Sequence, residues 1–296
     1  LFSTTGLKQS WQVTKQWSVD GSLDRSQTIH NTTAVYTVNP NVPPASGSSE
    51  DFTAVSLGVG YRQEKWSWTA RAEKRMADTE DKYGLFAGAN GEVRNGLGLA
   101  AGLQAFRSVA ATGQEKRNSD LRFALAYRPF ETRVIVLDRL DFLVDQQNGG
   151  TTINDNNQRV VNNLVVNIKT DNRRNQVSLQ YASKYVQETI DQNDYRGYTD
   201  LIGLEGRHDM SKTWDIGLRG MRLRSWSLNQ EKYGTGASVG FNAAKNIWIS
   251  VGYNFIGFKD RDFSRADFTS EGPFITMRFK FDQVGVRDAV KWISGQ

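Results

Sequence analysis

The strongest constraint on this chain is an alternation of period two in which both faces are regular. Residues 275–281 set Ile275, Met277, Phe279 and Phe281 against Thr276, Arg278 and Lys280. Residues 55–61 alternate Val55, Leu57, Val59 and Tyr61 with Ser56, Gly58 and Gly60. Residues 66–75 set Trp66, Trp68, Ala70 and Ala72 against Ser67, Thr69, Arg71, Glu73 and Arg75. The same pattern recurs at 17–25, 97–105, 121–128, 177–181, 214–219 and 249–255. Successive side chains of a strand point to opposite faces, so each stretch reads as a β-strand with one apolar and one polar face.

The polar face decides what kind of sheet this is. A small soluble barrel fills its interior with apolar side chains. Here the second face carries Ser, Thr, Gly, Asp, Glu and Arg, and burying charges without partners costs several kcal/mol each. Apolar outside and polar inside is the arrangement of a transmembrane barrel with lipid around it and a watered or networked lumen. Composition agrees. Hydrophobic residues make up only 38% of the 296, mean hydropathy is −0.55, and nothing approaches the ~18 apolar residues in a row of a membrane helix. A helical membrane protein is excluded; a barrel, whose strands need about 9–11 residues, is not.

Connections alternate in length. Short turns are predicted near 15–16, 64–65, 94–95, 129–131, 171–174, 209–212 and 243–246. Longer polar segments fall at 30–51, 77–82, 109–119, 145–159, 189–195, 226–232 and 259–270. Bacterial barrels have tight periplasmic turns and longer outer loops. Trp17, Trp66 and Trp214 follow short turns and Tyr127 precedes one, which forms an aromatic girdle at one membrane interface. Trp248 has the parity of Ser250 and Gly252 and is expected to point inward. The predicted fold is an all-β, antiparallel transmembrane β-barrel of about 16 strands, about 15 of them in this chain. The missing strand is expected upstream of Leu1. The barrel is expected over 1–282. The tail, 283–296, carries Val286, Ala289, Val290 and Ile293 at helical spacing and predicts a short amphipathic helix.

Candidate site residues lie on the polar parity: Arg71, Glu73, Arg75, Arg122, Arg128, Asp215, Arg219 and Arg278. They either form cross-strand ion pairs, with Asp20 and Asp24 among the carboxylates available, or line a pore and favour anions, as rings of Arg do. No catalytic site is expected. The chain has two histidines and no cysteine, which leaves no paired base and nucleophile and no thiolate metal site. "DQND" at 191–194 and "DRDFSRAD" at 260–267 lack the spacing of a calcium loop, so no metal or other cofactor is expected. Net charge is +5, but the cations are interleaved with acids, and without a basic stripe nucleic acid is not an expected partner.

The segment "GYNFIGFKDRDFSRADFTSEGPFITMRFKFD" (252–282) resembles the closing hairpin of outer-membrane barrel domains at the C-terminal end of long, repeat-bearing Gram-negative surface proteins. "LDRLDFLVD" (137–145) is similar to a mid-barrel strand of the same kind. The resemblance implies a non-enzymatic anchor or export conduit in the bacterial outer membrane. Its partners would be the lipid bilayer and lipopolysaccharide, the barrel-assembly machinery, and a larger surface protein or an upstream region of the same chain. In such proteins a final aromatic is read by the assembly machinery, and Phe281 resembles that residue. A stand-alone diffusion porin for small solutes, anions among the candidates, is the alternative, and a soluble all-β glycan-binding protein is the third.

Overall fold

The structure is a computed structural model that describes residues 2–28, 51–129, 132–149, 154–170, 174–244, 247–258, 263 and 270–279. The expected Phe281 signal, the 283–296 tail and most of the 30–51 loop lie outside these residues. Fifteen strands form one sheet in which hydrogen-bonded neighbours follow chain order. They are β1 (Phe2–Gln12), β2 (Trp17–Thr28), β3 (Phe52–Arg62), β4 (Trp66–Ala77), β5 (Glu80–Arg94), β6 (Leu97–Ala110), β7 (Glu115–Tyr127) and β8 (Val134–Asn148). Then come β9 (Asp155–Lys169), β10 (Asn175–Ile190), β11 (Asn193–Asp209), β12 (Trp214–Ser225), β13 (Gln230–Ala244), β14 (Ile247–Ile256) and β15 (Gly272–Phe279).

The chain divides into two compact units. Unit 1 comprises 1–124, 141–160 and 186–195; unit 2 comprises 125–140, 161–185 and 196–296. In unit 1, one register row runs Leu7, Leu23, Val55, Lys74, Tyr83, Arg107 across six antiparallel strands. Leu7 is 73% exposed and Leu57, two positions along from Val55, is 64% exposed. In unit 2, the row His208, Ile216, Val239, Val251, Ile275 crosses β11 to β15. Val251 and Ile275 there are 55% and 66% exposed.

The opposite face is covered, and it buries polar side chains beside a few apolar ones, Val161, Leu201 and Leu223. Ser56, Asp141, Asn163, Ser178, Asp215, Ser250 and Asn254 are all buried. A protein folded in water hides its apolar side chains and exposes its charges. In each unit many large apolar side chains are exposed while a carboxylate, Asp141 or Asp215, is buried. Only lipid makes an exposed row of Leu, Ile and Val favourable over so many strands.

Several segments expected as longer outer loops are strand. β4 and β5 are joined by two residues, 78–79, and β10 and β11 by Asp191 and Gln192. Both of the latter have positive φ, 47° and 71°, the backbone of a two-residue hairpin turn. Their polar flanks lack alternation yet pair along the backbone, so strands β10 and β11 reach 16 and 17 residues. That exceeds what spans a bilayer, so the ends of these strands project beyond the apolar band. The longest connections, between β2 and β3 and between β14 and β15, likewise follow even-numbered strands.

Candidate functional site: the polar face and the aromatic belt

The polar face of unit 1 is built from β1 to β8. Arg71 on β4 donates to the Ser56 hydroxyl at 2.9 Å and lies 3.8 Å from Asp20 on β2. Glu73 stands between Arg71 and Arg75 on this face, in register with Ser56 and Gly84. Arg75 lays its guanidinium over the Phe52 ring at 3.8 Å. Arg122 on β7 donates from Nε to Asp141 at 2.7 Å and from Nη2 to Asp120 at 3.1 Å. Asp141 is 4% exposed, and its hydrogen bond and charge hold the Arg122 guanidinium in place. Asp20, Arg71, Asp120 and Arg122 line a recess of about 510 Å³ together with Lys8. Gly60, Gly88 and Gly102 belong to its lining; a side chain at Gly102 would meet open space.

In unit 2, Asp215 is the centre. It is 2% exposed, accepts from Arg207 Nη1 at 2.5 Å and from the indole of Trp248 at 2.7 Å. Trp248 therefore points to the polar face, as its parity predicts. Arg207 also donates to Glu205 at 2.9 Å and is 13% exposed. Arg219 donates to Asn254 and covers the Phe274 ring at 4.4 Å. Arg278 occupies β15 in register with Trp248. Arg128 lies just past β7 and is exposed.

The structure thus brings Arg71, Glu73 and Arg75 together on one strand face, and joins Arg71 and Arg122 to carboxylates on other strands. Sequence reasoning missed Arg207, Asp120, Asp141 and Asn254 as partners. Arg207 was open to detection, because it shares parity with Glu205 and lies near the short turn that leads to Asp215. The partners on β8 and β14 depend on register, which parity does not supply.

The girdle residues Trp17, Trp66 and Trp214 are 39%, 43% and 47% exposed, and Tyr127 is half-buried. In unit 1, Trp17 meets Tyr61 and Trp68 edge-on, with ring centroids 5.1 and 5.4 Å away. In unit 2, Trp214 leans on Phe241 at 4.8 Å. Tyr61 and Trp68 thus cluster with Trp17, and Phe241 with Trp214. Rings with an apolar body and a polar edge suit the boundary between hydrocarbon and water.

An antiparallel sheet with polar side chains covered, apolar side chains exposed and aromatics near its short turns belongs to one class: the transmembrane β-barrel of the bacterial outer membrane. The siderophore receptor PirA from Pseudomonas aeruginosa is similar in structure at a TM-score of 0.53 and 7% identity, over 69% of this chain and 39% of the receptor. This chain therefore matches about two fifths of that receptor's length. Weaker likenesses are to the outer-membrane expressed OmpT of Vibrio cholerae, at a TM-score of 0.39, 9% identity and 77% and 89% coverage, and to the NanC porin, at 0.27, 8% and 78% and 94%. No family profile matches the chain, and no curated protein matches it in sequence.

Proposed function

We propose that the chain is the membrane-embedded wall of an outer-membrane protein, acting as anchor or export conduit for a larger surface protein or assembly. The observation that supports this best is how the polar-face cations are used. Arg71, Arg122 and Arg207 each face at least one carboxylate on another strand. An anion-selective pore needs cations left unneutralised along the path. Paired cations instead cross-brace neighbouring strands and fix their register, a role for which ionic groups are retained even where they add little stability. In this reading the barrel-assembly machinery and the lipid bilayer are partners during and after folding, and the chain does no chemistry of its own.

The second reading, a diffusion porin, is supported by the recess of about 510 Å³ beside Lys8, Arg71 and Arg122. Planar-bilayer recording on the purified chain separates the two. The anchor reading expects no steady ohmic conductance. Steady conductance, with anion preference that falls when Arg71 and Arg122 are replaced by Gln, would establish the porin instead.

A further inference from the structure

The apolar face of unit 1 changes character abruptly along one register row. After Leu7, Leu23 and Val55, the row continues as Lys74, Tyr83 and Arg107. These three therefore stand on the lipid-facing side, not on the polar face that holds Arg71 and Arg122. Lys74 Nζ sits 5.3 Å from the centroid of the Tyr83 ring. Arg107 and Arg117 both donate from Nε to one oxygen of Glu115, at 2.7 and 2.5 Å. Each guanidinium spends only its Nε on this contact, which leaves Nη donors for a further acceptor. The two side chains are 51% and 53% exposed.

Depth follows from the strands. The row lies three residues from the end of β4 and of β6 and close to the start of β7. Leu85, on the same face two positions from Tyr83, is still 43% exposed. Two strand residues span only about 7 Å, so the cations rest directly on the apolar band. Cations on a lipid-facing surface are costly at the midplane and nearly free at the interface, and their place here is headgroup depth on the side of the longer connections. Three cations there are offset by Glu115 and by Asp81, which stands one row further out.

We propose that Lys74, Arg107 and Arg117 form a site for a phosphate group on a lipid headgroup of the outer leaflet. The planar guanidinium forks suit phosphate oxygens, the apolar band below suits the acyl chains, and Tyr83 supplies a ring edge between them. The proposal rests on the lipid-facing reading of this surface.

The test is lipid retention by the full chain in detergent, read by native mass spectrometry. Three probes are compared: a bis-phosphorylated glucosamine glycolipid, the same glycolipid stripped of its phosphates, and inorganic phosphate. The site predicts retention of the phosphorylated glycolipid alone. It also predicts a loss of roughly fivefold for each cation removed in Arg107→Gln and Arg117→Gln, with no change in Lys65→Gln, whose charge lies in the short turn between β3 and β4 at the opposite ends of the strands. Equal retention of the dephosphorylated glycolipid by the unaltered chain would overturn the site and leave the membrane reading intact, and this arm does not depend on any variant folding. Displacement by inorganic phosphate at equal concentration would show a free-anion site and overturn the lipid assignment. Failure of any lipid to be retained, with the chain monodisperse in water, would sink the membrane reading itself.

Discussion

Four charged side chains on the polar face lie over glycines of the neighbouring strand. Asp20 is opposite Gly58, Asp24 opposite Gly6, Asp215 opposite Gly240 and Arg219 opposite Gly236. A methyl group placed on Gly6, Gly58 or Gly240 would run into the opposing carboxylate, and one on Gly236 would first meet Asn254 Oδ1, the partner of Arg219. Glycine weakens a strand by about 0.5–1 kcal/mol relative to Ala, and here that cost is offset by letting an ionic group lie flat on the wall and reach its partner. Gly240→Ala should therefore destabilise the protein by about 1–3 kcal/mol, because the carboxylate it displaces is held by Arg207 and Trp248. Gly102→Ala, with open space above it, should be neutral or slightly stabilising. Urea titration in detergent compares them, and equal effects would contradict the account. At this scale the sequence reveals which face a residue occupies and little about its partner. The parity of Arg71 and Arg122 is plain, but the pairing of Arg122 with Asp141 spans the β7–β8 connection, whose geometry sets the register. By parity Glu73 and Asp20 are both available to Arg71, and the structure gives Arg71 to Asp20 across two strand boundaries.

Strands and turns tell a related story at the next scale. The polar segments near 77–82 and 189–195 look like loops because their side chains are polar on both faces. Backbone pairing does not require apolar alternation once the strand leaves the hydrocarbon, so the ladder runs on to a tight turn. Asp191 and Gln192 hold left-handed φ values, which cost an ordinary residue about 1–2 kcal/mol relative to Gly. Replacing the pair with Asn-Gly should raise stability by about 1 kcal/mol and leave strand pairing unchanged, as read by unfolding and by backbone amide exchange. A loss of stability would mean that the turn is of another kind. Within β8, Leu137 and Phe142 are both well exposed, 46% and 37%. They are five residues apart and cannot share a face of a regular strand. Exposure on β8 thus does not follow strict alternation, which hides this strand from a search for it, although the segment was recognisable by its resemblance to barrel strands.

For the whole molecule, the account stands on one inversion: Leu218 is 67% exposed while its near neighbour Asp215 is 2% exposed. This much was legible in the sequence, because alternation persists over strand after strand with charges on the second face. The fifteen strands among the described residues match the count of about fifteen predicted for this chain. Function was far less legible, because an anchor, a conduit and a porin impose the same solvent pattern on a strand and differ in what fills or crosses the interior. The inversion itself makes a prediction about assembly. Leu218→Arg places a charge on the lipid face at a position 67% exposed, four strand residues in from Trp214, and should cost about 2–4 kcal/mol near the midplane. A lower yield of folded protein on refolding into vesicles would show it, and unchanged yield would argue against lipid contact there.

The most direct measurement uses the absence of cysteine from the chain. Single cysteines at Ile216, Gly217, Leu218 and Arg219 along β12 are labelled with nitroxide in reconstituted vesicles. Collision rates are then measured with oxygen, which concentrates in lipid, and with a water-soluble nickel chelate. The account predicts strict alternation: positions 216 and 218 relax with oxygen, and positions 217 and 219 respond to the chelate or to neither. Chelate access at 216 and 218, or oxygen access at 217 and 219, would contradict it.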